Sequence, residues 1–490
     1  MPSIRRSVIL SFAQNYTGLL ITVPTVMILA RFLTPAETGV FSVALAAVNL
    51  AHMLRDFGVS AYLVQEKNLT REKLRAAFSI TLITAWAIAL GMFLLAPVAG
   101  RFYNEPGVSN VLGVLAFMFV LIPFGAPAMS VLRRDLSYGA LYVINTASAA
   151  TRSAVSIIMA LLGFSYMSLA WGALGGVVAL TIAVSFYRFR DTWLMPGFGE
   201  WRHVVSFGSK KIVIDVLTQT SRSANSLVVG RMLGFAATGL FSRGEGLINL
   251  FQTKIMSSIQ SVAFPAFASY HRSGKGVKSL YVRGVSYITA VTWPFYTFAA
   301  IMAYPVILAA FGSQWVAAVP ILRILAIAAA IRSLNFSIGQ LLMASGHINR
   351  FLRIVAIVQP LRIVLIVIAA FYSIAAVAAV QLVITMLSLW LNYRETGRAF
   401  DLHFGEVINA SYRSGAVAFI SNIIPMLVWA LSVTGRITNP WIVLAIAGAG
   451  GALGWLVGVL VVRHPITAEF TLLKTQLSGL CYFARRENHG

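Results

Sequence analysis

Residues 30–50, ARFLTPAETGVFSVALAAVNL, return 200 residues later at 230–250 as GRMLGFAATGLFSRGEGLINL. Nine of the 21 aligned positions are identical (Arg31/Arg231, Leu33/Leu233, Ala36/Ala236, Thr38/Thr238, Gly39/Gly239, Phe41/Phe241, Ser42/Ser242, Asn49/Asn249 and Leu50/Leu250), where chance pairing gives roughly one or two. In each copy an apolar run ends at an arginine, a short turn follows, and a second apolar run opens at Thr-Gly. The chain therefore reads as two copies of one unit, and whatever it binds is expected to be handled between the copies.

Composition sets the solvent. Of 490 residues 58% are hydrophobic and 11% charged, with a mean hydropathy of +0.81, against roughly 25% charge in soluble domains. This is an all-α polytopic membrane protein. Cys481 is the single cysteine, so the sequence excludes an intrachain disulfide and any cysteine-based metal cluster. A net charge of +23 would suggest nucleic acid for a soluble protein; here it asks which side of the membrane the charges occupy, and no nucleic-acid partner is expected. The opening MPSIRRSVILSF resembles the start of a signal peptide, but the apolar run continues to Ala30 without a small-x-small cleavage site, which predicts an uncleaved first span bent at Pro24.

Windows of about 20 apolar residues predict about fourteen transmembrane helices, at 8–30, 38–57, 76–99, 109–131, 139–163, 166–187, 204–229, 238–266, 284–310, 318–343, 351–372, 374–393, 414–434 and 440–462. With the N-terminus placed inside, 24 Lys and Arg fall on inside segments and four, Arg31, Arg101, Arg231 and Arg436, on outside turns. That bias puts both termini in the cytoplasm. Six spans separate residues 38 and 238, so the copies share one orientation about an axis along the membrane normal. The expected architecture is two six-helix lobes related by a parallel repeat, 1–200 and 201–400, followed at 401–490 by two further transmembrane helices and a cytoplasmic tail. Gly450, Gly454 and Gly458 in the last span mark close packing of another helix.

Catalytic motifs are not found. GAGGALG at Gly448 lacks the third glycine of a dinucleotide fingerprint, where Leu453 stands, and there is no Walker A sequence. No cofactor is expected, and no enzyme. Of the seven histidines only His52 lies away from a cytoplasmic end, so the other six are expected to be solvated or at headgroups.

Ten cations remain inside the spans: Arg55, Arg152, Lys210, Lys211, Arg222, Arg243, Lys254, Arg323, Arg332 and Arg362, against three carboxylates, Asp56, Asp215 and Glu245. Facing lipid, ten cations would cost roughly 25–35 kcal/mol; they face a wet cavity, pair, or snorkel. Lys211, Asp215, Thr218 and Arg222 form one stripe, Arg243 and Lys254 share a face, and Asn49 shares a face with Asp56. Arg55, Lys210 and Arg323 lie near span ends, within reach of the interface. The balance of +7 implies a cationic cavity and an anionic substrate; its candidate residues are Arg222, Arg243, Arg332, Arg362, Arg152, Lys211, Lys254 and Arg55. Asp56, Asp215 and Glu245 are the candidates for ion coupling. Asp215 lies one turn from Lys211, whereas Glu245 has no basic residue at i±3 or i±4 and is the candidate proton carrier.

The strings RFLTPAETGVFSVA, LRDFGVSAYLVQ (54–65), GRMLGFAATGLFSR, FPAF (264–267) and FGSQW (311–315), in this order, resemble the polysaccharide-repeat-unit flippases of the multidrug/oligosaccharidyl-lipid/polysaccharide exporter superfamily, over about residues 5–400. The resemblance implies two lobes opening alternately to each side, moving undecaprenyl-diphosphate-linked oligosaccharides across the bacterial inner membrane, with the lipid tail left in the phospholipid bilayer. It also implies a polysaccharide polymerase and a chain-length regulator as partners. A diphosphate is an anion that a basic cavity would hold, with arginine offering paired donors. Two alternatives stand beside it: another exporter of an anionic substrate from the same superfamily, and a membrane polymerase or ligase, for which the outer turns look too short.

Overall fold

The computed structural model describes residues 4–56, 59–66, 68–197, 199, 209–273 and 276–467. Every regular element among them is helical. Helix α1 (Ile4–Phe32) continues through Pro24, with Thr25 donating its hydroxyl to the Ile21 carbonyl at 2.7 Å beside the ring. The turn into α2 (Pro35–Asp56) is written in TPAE. The Thr34 amide and hydroxyl donate to Glu37 Oε2 at 2.7 and 2.9 Å, and the Glu37 amide donates to Thr34 Oγ1 at 3.3 Å. This is a capping box with proline at the first helical position. Beyond it come α3 (Val59–Gln65), α4 (Arg71–Tyr103), α5 (Pro106–Arg134), α6 (Tyr138–Leu161), α7 (Met167–Thr192), α8 (Ser209–Met232) and α9 (Phe235–Arg272).

The second half holds α10 (Val277–Ile301) and α11 (Ala303–Ala310), bent 75° from each other, then α12 (Val319–Arg332), α13 (Ile338–Ala344), α14 (Ile348–Ala370), α15 (Ile374–Phe400), α16 (Phe404–Val433) and α17 (Pro440–Val461). Among the described residues each of the fourteen expected segments coincides with one of these helices or with a helix pair; positions 57 and 204–208 of the expected second and seventh spans lie outside the described residues. Ten stretches among the described residues are long and apolar enough to cross a membrane, eleven if the bent pair is one span. The chain is a multi-pass membrane protein, and three of the fourteen expected spans do not meet that test among the described residues. The shortfall is α6, α8 and α9. The first is diluted by Arg152 and its Ser, Thr and Asn residues, and the other two carry five of the ten cations that the sequence places in spans.

Contacts group the chain into two units. The first comprises Met1–Arg243, Ala310–Trp315 and Val355–Val377. Its core joins Val43, Ala44 and Val48 of α2 to Ala85 and Ala89 of α4, Val111, Leu115 and Phe119 of α5, and Ala170 and Ala173 of α7. Small residues let the helices close up: a β-carbon added at Gly172 of α7 would lie 1.8 Å from Ser156 Oγ of α6. This unit takes in α8 and the start of α9, which the sequence division at 200 separates from it. What holds them is the repeated stretch itself. A β-carbon at Gly39 would lie 1.8 Å from the Phe235 carbonyl oxygen, and one at Gly239 would lie 1.8 Å from the Pro35 carbonyl oxygen. Positions 35 and 235 are equivalent in the two copies, so the contact is reciprocal.

The second unit comprises Gly244–Ala309, Val316–Ile354 and Ala378–Gly490. The fully buried Tyr281 and its neighbour Tyr393 both donate to the Leu334 carbonyl, at 3.1 and 2.6 Å. The glycine series of α17 packs on α16: β-carbons at Gly450 and Gly454 would lie 2.2 Å from Ile424 Cγ2 and 2.9 Å from the Ile420 oxygen. His464, expected at a solvated end, is instead fully buried. The Ile466 amide donates to its Nδ1 at 3.2 Å, so Nε2 carries the proton toward Ser414 Oγ at 3.1 Å and Ser286 Oγ at 3.3 Å. Burial, helped by the Arg413 guanidinium, pushes its pKa down to about 4 and keeps it neutral.

Candidate functional site

Within the first unit, α2, α3, α5, α6, α7 and α8 enclose a cavity of about 690 Å³. Helical periodicity builds two of its walls. On α2, Asn49, His52, Met53 and Asp56 fall at i, i+3, i+4 and i+7; on α5, Ile122, Ala126, Met129, Ser130 and Arg133 share a face. Arg55 joins them from the end of α2, Ser60 from α3, Asn145 from α6, Thr181 from α7 and Gln219 from α8. Ten of the sixteen lining residues are polar, inside helices whose outer faces are apolar, as Phe186 shows at 86% exposed.

Local bonds hold most of these groups in place. Ser60 donates to Asp56 Oδ1 at 2.5 Å, Asn145 Nδ2 to the Leu141 carbonyl at 2.8 Å, and Gln219 Nε2 to Ser223 Oγ at 3.3 Å. The His52 ring lies 4.6 Å from that of Phe119. The Asp56 carboxylate is engaged by a hydroxyl, and neither Arg55 nor Arg133 has an ion pair or a hydrogen bond among the described residues. Arg55 Nε and Thr181 Oγ1 are buried without hydrogen-bond partners. Buried donors of this kind are costly unless something accepts from them. The cavity can therefore receive an anion with several acceptor oxygens.

The structure brings together only part of the set expected from sequence. Arg55 and Asp56 line the cavity. Arg152 of α6 lies over Gly176, whose added β-carbon would be 3.2 Å from its Nε, and Arg222 of α8 is exposed; neither lines the cavity. The Arg243 guanidinium sits over the rings of Trp315 and Phe311, 5.0 and 5.6 Å from their centres. Arg332, in the second unit, donates to Gln252 Oε1. Arg362 of α14, Asp215 of α8 and Glu245 of α9 are half-buried away from the cavity lining. The side chains of Lys211 and Lys254 lie outside the described residues. Sequence reasoning missed His52, Arg133, Asn145 and Gln219. For His52 a signal existed, since it falls three residues after Asn49 on the face already marked by Asn49 and Asp56.

Residues 28–320 match the family model described as polysaccharide biosynthesis protein. The chain is 22% identical over 324 residues to the lipopolysaccharide biosynthesis protein WzxC of Escherichia coli (strain K12), covering 66% of each. It is 23% identical over 311 residues to the teichuronic acid biosynthesis protein TuaB of Bacillus subtilis (strain 168), covering 61% of this chain and 62% of that one. To the succinoglycan biosynthesis transport protein ExoT of Rhizobium meliloti (strain 1021) it is 26% identical over 306 residues, 62% of this chain and 61% of the other. The chain thus spans just under two thirds of the length of these relatives. In structure it is similar to the lipid II flippase MurJ, with a TM-score of 0.73 and 13% identity over 93% of this chain and 98% of that chain. An inward-facing multidrug resistance MATE family transporter of the MOP superfamily gives 0.62 and 13%, over 78% and 95%. At such identities the likeness is one of fold.

Proposed function

The chain belongs to the polysaccharide biosynthesis protein family and has the fold of MOP superfamily transporters; from that premise we propose that it is a flippase for undecaprenyl-diphosphate-linked oligosaccharides. It works in the bacterial inner membrane with both termini in the cytoplasm, and hands its cargo to a polymerase and a chain-length regulator. The observation that carries this reading is the cavity of the first unit, where Arg55 and Arg133 lack ion pairs among the described residues and Asp56 is engaged by Ser60. A diphosphate offers acceptors to both guanidiniums, and arginine can bind two of its oxygens at once. Asn49, Asn145 and Gln219 supply amides for sugar hydroxyls. Alternating access would carry the headgroup while the polyprenyl tail stays in the lipid.

The test is Arg55→Ala with Arg133→Ala. Each charge-assisted bond contributes about 1.5–3 kcal/mol, so the pair should lower export at least roughly a hundredfold by that figure, with lipid-linked repeat units accumulating on the cytoplasmic leaflet and protein level unchanged. Normal surface polysaccharide from the double variant at wild-type level would overturn the assignment of the cavity. Accumulation of some other anion would point instead to a different exporter of the superfamily.

A further inference from the structure

A second cavity of about 400 Å³ opens in the first unit at one end of the helices and shares no lining residue with the cavity described above. Thr70, Arg71 and Leu74 come from the start of α4, Arg134 and Asp135 from the end of α5, and Arg188, Arg190 and Asp191 from the last turns of α7. Four guanidiniums thus face two carboxylates. Arg188, at a break in α7 (φ −143°, ψ 54°), takes both acids: it pairs with Asp135, and with Asp191 at 3.6 Å. Arg134 is anchored on the carbonyls of Leu63 and Glu66. Arg71 and Arg190 are exposed and have no ion pair or hydrogen bond among the described residues. The acids are spent and two guanidiniums are not.

The surroundings indicate where the occupant comes from. Around Arg188 and Arg190 the chain exposes Tyr187, Phe189, Trp193 and Met195, at 49, 66, 55 and 77%. Aromatic and apolar side chains interleaved with arginines at the end of a membrane helix mark the headgroup layer, where tails are apolar and phosphates are charged. Leu69, Leu74 and Val131 give the cavity an apolar floor. From this juxtaposition we infer that the cavity at the ends of α4, α5 and α7 is a binding site for the headgroup phosphate of an anionic membrane phospholipid, gripped by Arg71 and Arg190 over the anchored Arg134. None of its lining residues belongs to the cavity assigned to the transported substrate. The site fixes the height of these helix ends in the membrane and retains a lipid at the flank of the first unit.

Native mass spectrometry of the full chain in detergent tests the inference, with phosphatidylglycerol as probe and phosphatidylcholine and inorganic phosphate as comparisons. An arginine near an anionic surface contributes about fivefold, so Arg71→Ala with Arg190→Ala should weaken phosphatidylglycerol retention roughly thirtyfold. Arg71→Lys with Arg190→Lys keeps both charges and should retain it to within about fivefold. Phosphatidylcholine should bind no better to the wild type than to the alanine pair. Equal phosphatidylglycerol retention by the alanine pair and the wild type overturns the proposal. So does an equal loss in the lysine pair, which would make the effect independent of charge. Displacement of the lipid by equimolar inorganic phosphate also overturns it, and assigns the cavity to a soluble anion.

Discussion

The two copies of the repeated stretch, 30–50 and 230–250, follow the same path and reach it by different chemistry. At the turn the first copy uses the Thr34–Glu37 capping box, with Ser165 donating to the far oxygen of Glu37. The second has glycine at the cap, Gly234 at φ +87°, and ties its turn with Thr238 Oγ1 donating to the Gly234 carbonyl at 3.1 Å. One turn later they agree again: Thr38 and Thr238 are buried, and Gly39 and Gly239 each meet the first residue of the other copy's second helix, Phe235 and Pro35. Then they part. Val43 is in the apolar core, whereas Arg243 at the matching position stacks on Phe311 and Trp315. At the glycine pair identity survives because a backbone leaves no room for a side chain. At 43 and 243 it is lost, and each copy meets a different neighbour there.

The largest effect is expected at the glycines. With a carbonyl oxygen 1.8 Å from where a β-carbon would stand, Gly39→Val and Gly239→Val require a backbone to move, and the cost should exceed the roughly 1–3 kcal/mol of ordinary overpacking. Both variants should fall at least about tenfold in protein level, a factor of ten being 1.4 kcal/mol in a folding equilibrium. Because both alter one contact, the double variant should be far less than additive. Immunoblots of membranes against a fluorescent fusion read the result. One variant tolerated and the other not would show that the contact is not reciprocal.

A smaller effect separates Arg243 from its counterpart Val43. If its work is to hold the segment at 311–315, then Arg243→Met loses the interaction with two rings, worth about 1–2 kcal/mol when desolvated. Trp315 is fully buried and donates to the Ala30 carbonyl at 2.9 Å, so the loss also loosens the end of α1. The expected outcome is a lower thermal midpoint in detergent with export reduced only in proportion to protein level. Export abolished at full protein level would return Arg243 to the substrate path, where its intramembrane charge first places it.

The sequence makes the helices legible because apolar length and the periodicity of 3.6 are properties of a segment by itself. The site is less so. Counting residues puts Asn49 and Asp56 on one face, but the sequence marks Arg133 only as a charge at an inside end, and it lines the same cavity. A long side chain at a helix end reaches lipid, water or a cavity according to what stands opposite, and what stands opposite Arg133 is supplied by α2, α6 and α8. His464 fails for the same reason: Ser286 and Ser414, its partners, lie 178 and 50 residues away. Stacking of Arg243 needs FGSQW to be brought beside the second copy, and no spacing in the chain announces it.

The smallest effect lies in the turn itself and distinguishes the two solutions directly. Glu37 accepts from the Thr34 amide, the Thr34 hydroxyl and Ser165. Glu37→Gln keeps shape but removes charge from three hydrogen bonds, and a lost cap costs about 1 kcal/mol. The matching residue, Ala237, stands three places after Gly234, which has no hydroxyl to complete a box. Ala237→Glu should therefore change stability by no more than a few tenths of a kcal/mol. Gly234→Ala should instead cost about 1 kcal/mol, because its φ of +87° suits glycine. Thermal midpoints of the three variants give the ranking. If Ala237→Glu stabilised the protein as much as Glu37→Gln weakened it, the second turn would be a capping box waiting for its acid, and the copies would differ in sequence rather than in chemistry.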